Sequence, residues 1–228
     1  RGRRLHDLRI SVTDRCNFKC TYCMPEGGLP YLVRYNLSTL AELARVGRVF
    51  VEQEIQKIRL AGGEPLLRQD LHFLVRELGT LPQLQDLCLT TNGHLLAEKA
   101  RILADAGLRR VNVSLDSLRP QKFRSITRGG DLDRVLHGLQ VAQAVFPGPV
   151  KINVVATQGF NDEEILDFAR LTLDPGYSVR FIEPMPMSVH AAWERGQVLS
   201  VNTIREQIAQ SLGLESVSSD PGLLGPAT

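Results

Sequence analysis

Three of the chain's four cysteines crowd one short stretch, DRCNFKCTYCMPEGG at residues 14–28, as Cys16, Cys20 and Cys23 in the order C-x3-C-x2-C. Thiols spaced this way can converge on metal. Structural zinc takes four protein ligands and catalytic zinc three plus an open position, and His6 is a candidate fourth donor. A [4Fe–4S] cluster ordinarily takes four cysteines, one per iron; held by three, it leaves one iron free to bind something else. A disulfide framework fits poorly with so few cysteines in 228 residues, whereas clustered thiols fit a reducing compartment and a metal. Cys88 stands apart and reads as a small buried residue rather than a ligand. The five histidines are scattered. Neither a Walker A loop nor a G-x-G-x-x-G pattern occurs, so a conventional phosphate loop is absent.

The elements that must position these thiols follow from the alternation of apolar residues. Six runs read as strands: 8–13, 57–62, 86–92, 110–116, 151–157 and 178–184. Helical periodicity fills the intervals at 37–54, 69–78, 95–107, 131–145 and 161–172, with a last helix over 203–213 stopping at Gly213. A Ser/Thr and Glu pattern from Ser38 to Glu42 suits the start of the first helix. Strands alternating with helices predict βαβ units and a parallel sheet in one domain, curled into a barrel or left open. The cysteines fall just past the first strand, at the end where α/β folds place their chemistry.

Residues two apart in a strand share a face. Leu8, Ile10, Ile58, Leu60, Leu87, Leu89, Val111, Val113, Ile152, Val154, Val179 and Phe181 therefore form an apolar face that meets helices. The opposite face carries Arg9, Lys57, Arg59, Lys151 and Arg180 against one acid, Asp116. Parallel sheets are covered on both faces as a rule, so an open sheet with this side in solvent is the weaker reading. A cationic lumen is tolerated where the cavity is wet and takes an anionic polar ligand.

Composition narrows the partners. With 27 basic and 25 acidic residues the net charge is +2, which gives no global case for nucleic acid or an anionic membrane. No apolar run approaches the roughly 20 residues of a membrane span, and RGRRLHDLR is no secretory leader. The opening at Arg1 and the trailing SVSSDPGLLGPAT read as marks of an excised piece.

C-x3-C-x2-C with an aromatic before the last cysteine, here Tyr22, resembles the signature of the radical S-adenosylmethionine (SAM) enzymes. AGGEP at 61–65 resembles their GGE motif, which meets the SAM amino group. Across nearly the whole chain, LRISVTDRCNFKCTYCMP, KIRLAGGEPLLRQDL, LTTNG, AGLRRVNVSLDSL, KINVV and VRFIEPMP are similar to the GTP 3′,8-cyclases of molybdenum-cofactor synthesis. The resemblance implies a partial (β/α)6 TIM-type barrel with parallel strands and outer helices. It implies a [4Fe–4S] cluster on Cys16, Cys20 and Cys23. Reductive SAM cleavage then gives a 5′-deoxyadenosyl radical that takes hydrogen from the GTP ribose and leads to the cyclic pterin precursor. Tyr22, Gly63, Ser114 and Met185 would line the SAM site. Arg9, Arg59, Thr90 and Lys151 would contact GTP, with Lys57 and Arg180 close by.

The same resemblance implies a low-potential electron donor, transfer of the product to the next enzyme of molybdopterin synthesis, a homodimer, and a cytoplasmic or mitochondrial-matrix setting. It also exposes a departure. The family binds a second [4Fe–4S] cluster through three C-terminal cysteines, and beyond Cys23 this chain has only Cys88. The expectation is a core barrel over 1–212 and an irregular tail over 213–228, with the second cluster belonging to a longer chain. Competing readings are another radical SAM enzyme with a different anionic or peptide substrate, and a non-catalytic metal-binding domain.

Overall fold

A computed structural model describes residues 5–25, 27–28, 30–32, 36–174, 176–183 and 198–215. Six strands form one parallel sheet in sequential order: β1 (Asp7–Ser11), β2 (Lys57–Ala61), β3 (Asp86–Thr91), β4 (Arg110–Ser114), β5 (Lys151–Val155) and β6 (Ser178–Ile182). Each pairs only with its sequence neighbours, so β1 and β6 remain edges and the barrel is open. All six lie where the alternation placed them, each ending about two residues early or less. Helices α1 (Leu40–Glu52), α2 (Leu71–Gly79), α3 (Leu96–Asp105), α5 (Leu132–Val145), α6 (Ile165–Arg170) and α7 (Val201–Leu212) fill the intervals.

Local signals explain the boundaries. α1 starts at a capping box in which the Thr39 side chain accepts from the Glu42 N–H at 3.2 Å while the Glu42 carboxylate accepts from the Thr39 N–H at 2.7 Å. Asp131 caps α5 from the N–H groups of Asp133 and Arg134, and Ser200 caps α7. One helix was not anticipated: α4 (Pro120–Thr127), which opens on Pro at its first turn and buries only Phe123, Ile126 and Thr127. Its short polar sequence carries too little apolar period to stand out.

The apolar face of the sheet is the core. Ile58, Leu60, Leu87, Leu89, Val111, Val113, Ile152 and Val154 are all at most 1% exposed and lie beneath the helices, each contributing about 1.5–3 kcal/mol of burial. A smaller cluster of Ala156, Ile165, Leu199 and Ile204 seats α7 against α6.

The opposite face differs from expectation in its charge balance. β1 begins at Asp7, one residue before the predicted start, and Asp7 takes Lys57 into an ion pair at 3.3 Å. On the same face Asp86 binds the Arg110 guanidinium through both carboxylate oxygens. The acids opposing the lumen cations are therefore Asp7 and Asp86. Asp116 is not their counter-charge, because it is buried and committed to the cysteine loop.

Candidate cluster and nucleotide site

The loop after β1 is held by main-chain hydrogen bonds on two sides. On one side, the Gly63 N–H donates to Thr13 O at 2.8 Å and the Glu64 N–H to Arg15 O at 2.7 Å. This closeness demands glycine: a Cβ on Gly62 would lie 2.3 Å from Thr13 O, and one on Gly63 would lie 2.3 Å from Arg15 O. On the other side, the N–H groups of Lys19 and Thr21 donate to the carbonyls of Thr127 and Ile126, at the end of α4. Phe18, 5% exposed, inserts edge-on against Phe123 of α4 and against His94. The unanticipated helix is thus one wall of the loop that carries the thiols.

Cys16 and Cys20 are half-buried and Cys23 is exposed. Each is near enough to another of the three for their charges to repel. Burial first, then the neighbouring Cys23, Asp116 and Cys16, push the Cys20 thiol up to about 12. Burial also raises Cys16, against hydrogen bonds from the Phe18 N–H and the Asn92 amide that lower it. Thiols so placed stay protonated until a cation draws them to thiolate. Among the described residues no three Cys, His, Asp or Glu side chains converge on a point suited to a single metal ion. A donor set spread over one loop, all sulfur, suits a cluster whose irons are each met by one thiol. The candidate fourth donor for a zinc site, His6, lies at the far end of β1, beside Gln56.

Tyr22 sits between Cys20 and Cys23 and donates its hydroxyl to Asp116 Oδ2 at 2.6 Å, while Asp116 Oδ1 accepts from the Val155 N–H at 2.8 Å. Asp116 is 5% exposed. Burial raises its carboxyl, opposed by these two hydrogen bonds. The Asn161 amide donates to Asp116 O and Val155 O and accepts from the Thr157 N–H, locking the ends of β4 and β5 together. The cysteine loop is therefore fastened to strands more than ninety residues away in sequence.

Glu64 of the GGE motif turns away from this opening. Its carboxylate is 1% exposed and accepts from the Leu66 N–H, the Thr91 hydroxyl and the Asn92 N–H at 2.7–2.9 Å. The motif presents its glycine main chain to the loop and spends its acid on β3. Asn92 in turn donates to Asn17 at 2.8 Å and reaches Cys16 Sγ at 3.9 Å.

The remaining predicted residues fall on the inner face in register. Arg9 lies opposite Arg59, Arg59 opposite Cys88, and Cys88 opposite Arg110. One step toward the mouth, Thr90 faces Asn112 and Asn112 faces Lys151. A further step places Ser114 opposite Asn153 and Asn153 opposite Arg180. Arg9, on the edge strand, is exposed; Arg59, Lys57, Lys151 and Arg180 are half-buried. Burial lowers the Lys151 ammonium, and repulsion from Arg110, Arg180 and Lys57 lowers it further, against attraction from Asp86. These cations therefore share one field. Met185 lies outside the described residues.

Sequence reasoning missed the roles of Asp116 and Asn92. Alternation marked Asp116 and Asn92 as inward-facing, and only the three-dimensional contacts show what each holds.

An open six-stranded parallel barrel with a three-thiol loop past its first strand defines a radical SAM protein. The Radical SAM superfamily model matches residues 10–172, so the chain belongs to that superfamily. Solved structures agree on the fold: SuiB of Streptococcus suis bound to S-adenosylmethionine superimposes with a TM-score of 0.72 at 18% identity, over 90% of this chain and 47% of that one. Methylornithine synthase gives 0.64 at 14% identity, over 89% and 61%. Within the superfamily the chain belongs to the GTP 3′,8-cyclases. It is 48% identical to that of Peptoclostridium acidaminophilum over 98% of this chain and 72% of the relative. The cyclase of Alkaliphilus metalliredigens matches at 42% over 97% and 69%, and that of Listeria monocytogenes at 48% over 89% and 61%. The chain thus spans about two thirds of these relatives' length.

Proposed function

We propose that this chain is the core barrel, residues 1–212, of an enzyme that acts on GTP to form the cyclic pterin precursor of the molybdenum cofactor. The observation that carries the reading is the shared field of Lys57, Arg110, Lys151 and Arg180 on the inner face. The face opens toward the three-thiol loop. A nucleotide triphosphate is the small molecule whose charge such a field selects, and the relatives are named for GTP.

Cys16, Cys20 and Cys23 would hold a [4Fe–4S] cluster, with Tyr22, Gly63, Ser114 and Met185 around SAM. When bound, these supply a one-electron opening of the sulfonium and a carbon radical able to take hydrogen from a ribose carbon. The residues of the chain do the rest. Arg59, Lys151 and Arg180 hold the phosphates, Arg9 reaches in from the edge strand, and Thr90 lies beside them. Lys57 is half-neutralised by Asp7 and contributes less. The braced loop keeps the thiols fixed relative to β4 and β5, which fixes the distance between the reacting ends.

No cysteine remains for a second cluster, since Cys88 is fully buried in β3. By the family resemblance, that site would belong to the part of the relatives beyond this chain's span. A low-potential electron donor, transfer of product to the next enzyme of the pathway, a homodimer and a cytoplasmic setting complete the reading. Among the described residues no helix is long and apolar enough to cross a membrane.

The test is 5′-deoxyadenosine release by the anaerobically reconstituted, reduced chain with and without GTP. Strong stimulation by GTP is expected. Equal slow release in both conditions would leave a radical SAM core and remove the cyclase reading for this chain.

A further inference from the structure

Among the described residues, five buried side-chain polar atoms have no hydrogen-bond partner. Three of them lie on the inner face of the sheet: Arg59 Nε, Asn112 Oδ1 and Asn153 Oδ1. An unpartnered amide oxygen in a buried place costs about 1–3 kcal/mol, so two on adjacent strands mark a place completed from outside the chain. Asn112 is 5% exposed, with its Nδ2 only 3.4 Å from the Thr90 hydroxyl. Asn112 lies opposite Lys151; Asn153, two residues further along β5, lies opposite Ser114 and Arg180. Neither asparagine is among the residues that the family resemblance assigns to GTP or SAM.

We infer that Asn112 and Asn153 receive the ribose hydroxyls of the bound nucleotide and so orient the sugar beneath the cysteine loop. The inference rests on the GTP reading above and extends it. Height along the strands supports it. The asparagines stand one and two steps above the row of Arg59 and Arg110, and Asp116, which fastens Tyr22, comes two residues past Ser114. They therefore lie above Arg59 and level with Lys151 and Arg180, on the side of the loop that carries the thiols, where the sugar must sit if its hydrogen is to be taken.

Chemistry selects the same group. A phosphate oxygen only accepts hydrogen bonds and would oppose the amide oxygens as they are placed, whereas a hydroxyl both donates and accepts. It satisfies an amide in either orientation, so the inference does not depend on which amide atom faces the lumen.

The experiment is equilibrium binding of GTP, 2′-deoxy-GTP and 3′-deoxy-GTP to the reconstituted chain. The wild type is expected to bind at least one deoxy analogue about 10-fold more weakly than GTP, because a buried partner is left unpaired. Asn112→Leu or Asn153→Leu should weaken GTP by a similar factor and bring the GTP-to-analogue ratio close to one. Asn112→Asp and Asn153→Asp keep an acceptor and should keep the ratio, whatever they do to overall affinity. Where a leucine variant fails to give the wild-type unfolding transition, Asn112→Ala and Asn153→Ala take its place.

A ratio unchanged in both the leucine and alanine variants overturns the inference, as does a wild type that binds all three nucleotides alike. If GTP binds and Lys151→Met weakens it while the asparagine variants leave the ratio intact, the inference alone fails. If the wild type binds no GTP, the cyclase reading fails and carries this one with it.

Discussion

The mouth of the barrel and its inner face are built on opposite plans. At the mouth, polar groups are spent on one another: Tyr22 on Asp116, Glu64 on Thr91 and Asn92, and the loop main chain on Gly63, Glu64 and the end of α4. On the inner face Lys57 and Arg110 have carboxylate partners, while among the described residues Arg59, Lys151 and Arg180 have no ion pair within 4.0 Å. Partnered groups fix geometry before any ligand arrives. Unpartnered cations hold free energy that an arriving anion releases, since each charge-assisted contact is worth about 1.5–3 kcal/mol. The thiols sit where position matters most and the lysines where affinity does.

The largest break in this contrast comes from the thiols. Cys20→Ala should reduce reconstituted iron from about four per chain to near none and abolish 5′-deoxyadenosine release; retained iron would mean that the loop is not the cluster site. Gly63→Ala tests the bracing. The added Cβ meets Arg15 O at 2.3 Å, so the loop must part from β2. A stability loss of about 1–3 kcal/mol is expected by denaturant unfolding, with a matching fall in iron uptake, and a neutral outcome would show that the close approach is dispensable.

On the inner face, Lys151→Met and Arg180→Met should each weaken GTP about 10- to 100-fold with the unfolding midpoint held or raised. Unfolding at lower denaturant would mean that these cations support the fold. Lys57→Met should cost about 3-fold or less, because the partly exposed pair with Asp7 already occupies that ammonium. An equal loss at Lys57 and Lys151 would erase the distinction between paired and unpaired cations.

The pH dependence is a subtler check. Lys151 loses its proton more readily in the free protein than an ordinary lysine, by burial first and then by neighbouring cations. A bound phosphate favours the ammonium, so the bound pKa lies above the free one. GTP affinity should be level below the free value and fall as pH rises from there toward the bound value, with Lys151→Met removing the slope. The sign for folding is the reverse of a favourable lysine pair. With the folded pKa depressed, the unfolded chain binds more protons between the folded value and the ordinary lysine value, and Lys151's contribution to stability rises through that window. A slope that survives in the Met variant would assign the titration elsewhere.

Much of this division was legible in the sequence. Strict alternation fixed all six strands, because a parallel strand between helices and lumen must sort its residues by face. Cysteine spacing fixed the position of the loop. What stayed hidden depended on neighbours far apart in the chain. Asp7 lay one residue outside the predicted strand, so its pairing with Lys57 could not be foreseen. α4 has only two buried apolar side chains to announce it. Whether Asp116 neutralises lumen cations or holds Tyr22 is a question of direction that alternation does not resolve, and the same is true of Glu64, whose carboxylate points into β3. Asn112 and Asn153 read as ordinary polar positions until their missing partners became visible.

The tether from Tyr22 through Asp116 to Val155 also sets an order of events during synthesis. The thiol loop leaves the ribosome ahead of β4 and β5, yet its latch is not complete until β5 has emerged and paired with β4. For the interval in which well over a hundred residues are added, the three cysteines are a floppy, accessible chelator. Metal captured then would meet a flexible ligand set able to wrap a lone ion. Cluster delivery after closure would instead meet thiols whose loop is already held by the latch.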